Sequence, residues 1–250
     1  MTISLSERGI RAIVLDIEGT TTPIAFVHDV LFPYARQRLR AAIKNHAVST
    51  VGYNWMRKLE ADWRAEAPDA DALPPWQDET FESLTTSAAR YCEWLMDRDR
   101  KSPVLKTLQG LIWKDGYEAG ELKANVFPDV PAALERWRNA GITVAIYSSG
   151  SVLAQRLLFG ASDFGNLTRF IDRFFDTDMG AKAAPESYTR IAGELGRAPG
   201  EVLFVSDVAA ELEAARSAGL RVALSVRPGN AEQKVDCDVV VTSFDQIQAT

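Results

Sequence analysis

Three runs of apolar residues in this chain each end in a group able to do chemistry. Ala12-Ile13-Val14-Leu15 stops at Asp16, Thr143-Val144-Ala145-Ile146-Tyr147 stops at Ser148-Ser149, and Val202-Leu203-Phe204-Val205 stops at Ser206-Asp207. Lys182 lies on the loop between the second and third runs, and Glu18 stands two residues beyond Asp16. Continuous apolar runs closed by Gly, Pro or polar residues read as buried strands feeding loops. If the strands are parallel, their C-terminal ends share one sheet edge, where open sheets bind ligands. An acidic pair, a hydroxyl and a cation then converge on one crevice. Such a set suits hydrolysis of a phosphate monoester. Asp16 would attack as a carboxylate nucleophile, splitting the displacement in two. A divalent cation on Asp16 and Asp207 would cancel the repulsion between carboxylate and phosphate. Lys182 and Ser148 would hold the phosphoryl oxygens. Glu18 would protonate the leaving oxygen and then activate water.

Each residue taken alone has a plainer reading. Asp16 and Asp207 fit turn or helix caps, Ser148 and Ser149 fit N-caps, and Lys182 fits a solvated loop. Their joint occurrence in this order, each after its own strand or loop, favours the chemical reading.

The elements around these residues set the fold class. From about residue 26 to 122 the apolar spacing is helical: Leu31, Tyr34, Leu39 and Ile43; Trp55, Leu59 and Trp63; Tyr91, Leu95 and Met96; Leu105, Leu108, Leu111 and Ile112. The stretch Glu66 to Pro75, rich in Ala, Asp and Pro, breaks the series. After it, strands and helices alternate. Asp129 and Pro131 mark a helix start and Gly141 its stop, with helices also expected at 152–159, 186–195 and 211–218. Val222-Ala223-Leu224 and Val239-Val240-Val241 add short strands. The expectation is an α/β fold: a Rossmann-like parallel sheet core flanked by helices, formed by residues 1–25 and 123–250, with an all-helical domain inserted at 26–122.

Composition narrows the partners. A net charge of −6 and a pI near 5.1 disfavour nucleic acid and anionic membrane surfaces. No run approaches the length of a membrane span, and the N-terminus lacks the apolar stretch of a secretory signal. Cys92 and Cys237 lie far apart and suit a reduced cytoplasm. His28 and His46 have no partner at metal spacing, and the six tryptophans fall largely on helical patterns, as core. Glu211, four residues after Asp207, fits either an orienting partner of Lys182 or an exposed helical glutamate. Arg227-Pro228-Gly229-Asn230 is a turn by composition. A cytoplasmic monomer acting on a small phosphorylated molecule is expected.

The layout resembles the haloacid dehalogenase-like superfamily. Asp16-Ile17-Glu18-Gly19-Thr20 looks like its first motif, Ser148 its second, Lys182 its third and Asp207 its fourth, and the helical insertion is similar to its cap domain. Longer strings resemble one family within it, the enolase-phosphatases (acireductone synthases) of methionine salvage. These are Asp16 to Ile24 with Phe26-Val27, Leu31-Phe32-Pro33-Tyr34, Ile146 to Val152, Phe174-Phe175-Asp176-Thr177 and Arg227 to Asn230. The resemblance implies enolisation of 2,3-diketo-5-methylthiopentyl-1-phosphate followed by dephosphorylation to the acireductone. It implies one magnesium ion per chain, held by Asp16, Glu18 (through its backbone carbonyl) and Asp207, with phosphate and substrate on Ser148, Ser149 and Lys182. Ala184-Pro185, where the family often has Glu after the motif lysine, His28 in place of an expected lysine, and Ser206 where Thr is commoner are departures. A plain phosphatase of the same superfamily, a catalytically dead binding module and a metal-independent dehalogenase are the alternatives.

Overall fold

The computed structural model describes residues 2–66, 72–100, 102–233, 237 and 239–250. Residues 67–71 of the loop expected at Glu66 to Pro75 therefore lie outside the described residues, as does residue 238 beside the last expected strand. In chain order the elements are β1 (Ile3–Ser4), β2 (Ala12–Leu15), α1 (Ile24–Phe26), α2 (Phe32–Ala47), α3 (Thr50–Arg64), α4 (Phe81–Asp97), α5 (Pro103–Glu118), α6 (Val130–Asn139), β3 (Thr143–Tyr147), α7 (Val152–Gly160), β4 (Arg173–Phe175), α8 (Pro185–Glu194), β5 (Val202–Ser206), α9 (Ala209–Ser217), β6 (Arg221–Ser225), β7 (Val240–Val241) and β8 (Ile247–Gln248). The chain divides into two compact units, Met1–Val30 with Gly120–Thr250, and Leu31–Ala119.

The first unit is an α/β domain. Six strands form one sheet in the order β4-β3-β2-β5-β6-β7, every pairing parallel. β2 is buried along its whole length, which is why its sequence is apolar without alternation. The chain runs outward from β2 to β3 and β4, then returns to the other side of β2 to lay down β5. That reversal makes the β2 edge a topological switch point, where a crevice opens. Register sets the rest: Leu15 is level with Ile146 of β3 and Val205 of β5, so Asp16 leaves the sheet beside Tyr147 and Ser206. A separate two-stranded pair, β1 with β8, ties the two ends of this unit together.

The second unit is helical throughout its regular structure. In α2 the buried residues Ala35, Leu39, Ile43 and Ala47 recur every fourth position and form its core stripe. Gly52 and Gly116 mark the tight approaches: a Cβ at Gly116 would sit 2.4 Å from the Tyr34 hydroxyl. Of the tryptophans of this unit, Trp94 and Trp113 are buried while Trp55, Trp63 and Trp76 are half-buried, so the core reading from the sequence holds for part of the set. Trp63, Trp76, Tyr91 and Trp94 form a chain of ring contacts at 5.8, 6.4 and 5.9 Å, and Trp113 donates to the Leu31 carbonyl at 2.9 Å. Trp137 belongs to the α/β unit, fully buried on α6 and donating to Ile247 O at 3.0 Å.

Candidate active site

The segment leaving β2 turns sharply. The N–H groups of Thr20, Thr21 and Thr22 all point at the Ile17 carbonyl, at 3.2, 2.9 and 2.9 Å, and Gly19 adopts φ +66°. Thr21 Oγ1 reaches back to Asp16 O at 3.1 Å. Asp16 is thereby fixed at the head of a rigid loop, buried to 4% exposure. Its Oδ1 accepts from Ile17 N at 2.7 Å and from Lys182 Nζ at 2.6 Å, and its Oδ2 lies 3.3 Å from Ser206 Oγ.

Lys182 is not a solvated loop lysine. Its carbonyl accepts from the Tyr188 hydroxyl at 2.7 Å, and the nearby carbonyls of Gly180 and Ala181 accept from Tyr147 at 3.0 Å and Ser187 at 2.8 Å. Two buried tyrosines, one on β3 and one on α8, thus pin the loop that carries it. Its ammonium bridges Asp16 to Glu211 Oε2, the second contact at 2.8 Å. Glu211 also accepts from Ser206 Oγ at 3.0 Å and is buried, so of its two sequence readings the structure selects the partner of Lys182. Burial works to strip the lysine's proton, but the charges of Asp16 and Glu211 outweigh it and the pKa is raised. Burial, then the charge of Asp16, push Glu211 up to about 7 against the pull of Lys182 and Ser206. The same two causes, in the same order, push Asp207 up to about 6.

The other residues singled out by sequence have varied places. Asp207 is buried at the end of β5 and is not a helix cap, because Val208 holds that position on α9. Ser148 and Ser149 are not caps either: the N-cap of α7 is Ser151, accepting from Ala154 N at 3.2 Å. Ser148 is buried at the end of β3 with its Oγ accepting from Gly150 N at 3.2 Å, while Ser149 is half-buried. Glu18 is exposed on the loop beyond Asp16. Ala184 and Pro185 form the start of α8, and His28 is exposed on a π-turn over Val27–Leu31.

Two residues that composition reads as part of a turn prove to be supports, Arg227 buried and Asn230 half-buried. Arg227 is buried between the rings of Phe127 and Phe244, at 4.7 and 4.5 Å from their centroids. Its guanidinium pairs with Asp129 at 2.8 Å and donates to Thr20 O at 3.2 Å. Asn230 Nδ2 donates to Gly19 O at 2.9 Å, and Ser225 Oγ to the same carbonyl at 3.3 Å. Asp129, expected only to start α6, makes no capping bond and turns to Arg227 instead.

The donor set around Asp16 suits a divalent cation. Among the described residues no three His, Cys, Asp or Glu side chains group as a metal cage. Magnesium needs no such cage, since it binds through one or two carboxylates and keeps positions for water and phosphate. Asp16 and Asp207 supply two carboxylates near enough for the charge of one to raise the pKa of the other, and with Glu211 they outnumber the single ammonium of Lys182. Among the described residues the buried Oδ1 of Asn230 has no hydrogen-bond partner. A hard dication fits this surplus of oxygen and negative charge.

Known proteins carry the same architecture and much of the same sequence. The family pattern of the haloacid dehalogenase-like hydrolases matches residues 10–219. The enolase-phosphatase E1 of Synechococcus elongatus is 46% identical over 95% of this chain and 98% of its own. This chain belongs to the enolase-phosphatase E1 family of haloacid dehalogenase-like hydrolases. The Klebsiella pneumoniae relative of the same name is 49% identical over 87% of this chain and 89% of its own. Among solved structures, the UTR4 protein of Saccharomyces cerevisiae superposes with a TM-score of 0.74 at 33% identity, covering 94% of this chain and 99% of that one.

Proposed function

We propose that the protein is a bifunctional enolase-phosphatase that converts 2,3-diketo-5-methylthiopentyl-1-phosphate to 1,2-dihydroxy-3-keto-5-methylthiopentene and phosphate in methionine salvage. The observation that carries the chemistry is the buried Asp16–Lys182–Glu211 set at the C-terminal edge of β2 and β5. Magnesium, one per chain, would be held by Asp16, Asp207 and the backbone carbonyl of Glu18, and would supply charge neutralisation for the phosphate and for developing oxyanions. The helical unit, expected at residues 26–122, is read as the cap domain.

In the first step a base takes a proton from carbon, the electrons of that bond form the carbon–carbon double bond, and negative charge grows on the adjacent oxygen until it takes up a proton. The Lys182 ammonium, kept charged by its two carboxylates, is the chain's own stabiliser for that charge. In the second step an Asp16 oxygen attacks phosphorus, the bond from phosphorus to the substrate oxygen breaks, and Glu18 gives that oxygen its proton. Glu18 then takes a proton from water, whose oxygen displaces Asp16 and releases phosphate. Ser148, Ser149 and Lys182 hold the phosphoryl oxygens through these displacements.

The test supplies the diketone phosphate to purified protein in excess magnesium and follows enol absorbance and phosphate together. A transient enol preceding phosphate is expected. Phosphate without any enol would leave a plain phosphatase, and phosphate release that survives Asp16→Asn would remove Asp16 as nucleophile.

A further inference from the structure

Ser206 enters none of the steps above, yet it touches two of the acids in the buried set. It is fully buried at the last position of β5. Its Oγ accepts from Val208 N at 3.1 Å, which fixes the oxygen over the turn into α9. The hydroxyl has a single proton and two carboxylate acceptors within reach, Glu211 Oε2 at 3.0 Å and Asp16 Oδ2 at 3.3 Å. The ammonium of Lys182 spans the same two side chains, at 2.6 Å from Asp16 Oδ1 and 2.8 Å from Glu211 Oε2. The four groups close a ring from Asp16 through Ser206, Glu211 and Lys182 back to Asp16.

We propose that Ser206 is a positioning residue that holds the plane of the Asp16 carboxylate and turns its hydrogen bond from Asp16 to Glu211 as charge leaves Asp16. This inference rests on the reading of Asp16 as the nucleophile.

The physical reason lies in the carboxylate's softest torsion. Rotation about Cβ–Cγ of an aspartate is broad and two-fold, so it holds no orientation by itself. Ile17 N and Lys182 anchor Oδ1, and because the carboxylate turns as one rigid plane, a further bond on Oδ2 narrows the remaining rotation of both oxygens. Ser206 is the group placed on Oδ2. In the resting protein both acceptors compete for its proton. Once an Asp16 oxygen bonds to phosphorus, Asp16 loses its negative charge and becomes the poorer acceptor. The hydroxyl then turns to Glu211 by rotation about its own C–O bond, with no covalent bond made or broken. Return of the carboxylate when phosphate leaves restores the first arrangement. A backbone amide could not do this, since its direction is set by the strand.

The experiment compares Ser206→Ala, Ser206→Thr and Ser206→Val, with the diketone phosphate in excess magnesium and with folding checked by circular dichroism and thermal melting. Thr and Val have the same shape and differ by the hydroxyl. The expected result is a kcat lowered roughly ten- to a hundred-fold in Ala and Val with KM little changed, and restored in Thr, because a misplaced nucleophile weakens the reaction step without weakening binding. If Ala destabilises the fold, the Thr–Val pair alone decides. Equal kcat in Thr and Val, Ala at the parent rate, or a change confined to KM would overturn the inference. Asp16→Asn is run beside them: if it is inactive while Ser206→Ala is fully active, the inference fails and the nucleophile assignment stands. Activity in Asp16→Asn removes the nucleophile assignment itself.

Discussion

Gly19→Ala is a one-methyl change whose consequence follows from the packing around the loop. Gly19 holds φ +66°, where an L side chain is disfavoured by about 1–2 kcal/mol. A Cβ there would lie 2.3 Å from Asp207 Oδ2, 2.6 Å from Asp207 Cγ and 2.9 Å from Asn230 Oδ1. Normal contact is about 3.5 Å, so the Asp207 carboxylate must retreat by roughly 1 Å. Asp207 is a short, buried side chain at a strand end and cannot swing clear as a long surface residue would. A displacement of that size at a reacting centre costs about a hundred-fold in rate. The strain itself lowers the melting temperature by only about 2–8 °C in a protein of this size. The assay pairs steady-state phosphate release with a thermal melt: a folded protein with kcat at least about a hundred-fold down is expected. Removing Asn230 as well should not rescue it, because the Asp207 contact remains. A folded Gly19→Ala protein with kcat within a few-fold of the parent would refute the placement of Asp207 against this loop as a working part of the site.

Arg227→Met should lower stability by about 3 kcal/mol by leaving the half-buried Asp129 without its charge partner, read as a fall in melting temperature on the order of 10 °C; a fall of only a degree or two would mean that the pair is relaxed in solution. Magnesium-free protein should grow less stable as pH rises from about 4 to about 7. Its raised Asp207 and Glu211 pKa values, about 6 and about 7, mean that the folded state holds more protons than the unfolded state across that window. Added magnesium should flatten the profile, and a stability that rises over this window in chelator would contradict the surplus of buried carboxylates. Cys92, fully buried with burial pushing its thiol up to about 12, should resist iodoacetamide in the folded protein at about pH 8.5 while the half-buried Cys237 reacts. Mass mapping of the labelled residue decides that case.

What was legible in the sequence follows from what is local. β2, β3 and β5 could be placed because each is a continuous apolar run, and a run buried on both faces cannot disguise itself by alternation. Parallel topology alone leads to the convergence of the strand ends at Asp16, Ser148 and Asp207, and the loop between the second and third of these strands adds Lys182. β4 was missed because it is three residues long and opens on an exposed arginine, so no period is present to read. Arg227 was missed for a stronger reason. A Pro and a Gly follow it, and that composition signals an exposed turn. Its burial depends on Phe127, Phe244 and Asp129, which lie far away in the chain and meet only in the folded unit. Asp129 shows the reverse error: the helix start was placed correctly, but the side chain expected to cap it is claimed by the arginine. Ser206 ends a strand and looks like its polar stop, and nothing local distinguishes it from Ser148.

These long-range supports share one purpose, which is to hold the segment from Ile17 to Thr22 still. Arg227 holds the Thr20 carbonyl, Asn230 and Ser225 hold the Gly19 carbonyl, and Phe127 N holds the Thr21 carbonyl at 3.0 Å. Each uses a backbone acceptor, so the sequence of the loop leaves no trace of the arrangement. Asp16 as the proposed nucleophile would need such a mount, because the attack of a carboxylate is directional while its own torsion is loose. The acids around it then divide the electrical work. Lys182 stays charged between Asp16 and Glu211, while burial lets Asp207 and Glu211 keep protons close to neutral pH. A phosphate dianion entering that set adds repulsion on the order of 4 kcal/mol for each close charge pair at the effective dielectric of a partly buried site. One ammonium cannot offset that alone. The proposed reaction therefore calls for a dication, which Asp16 and Asp207 would hold.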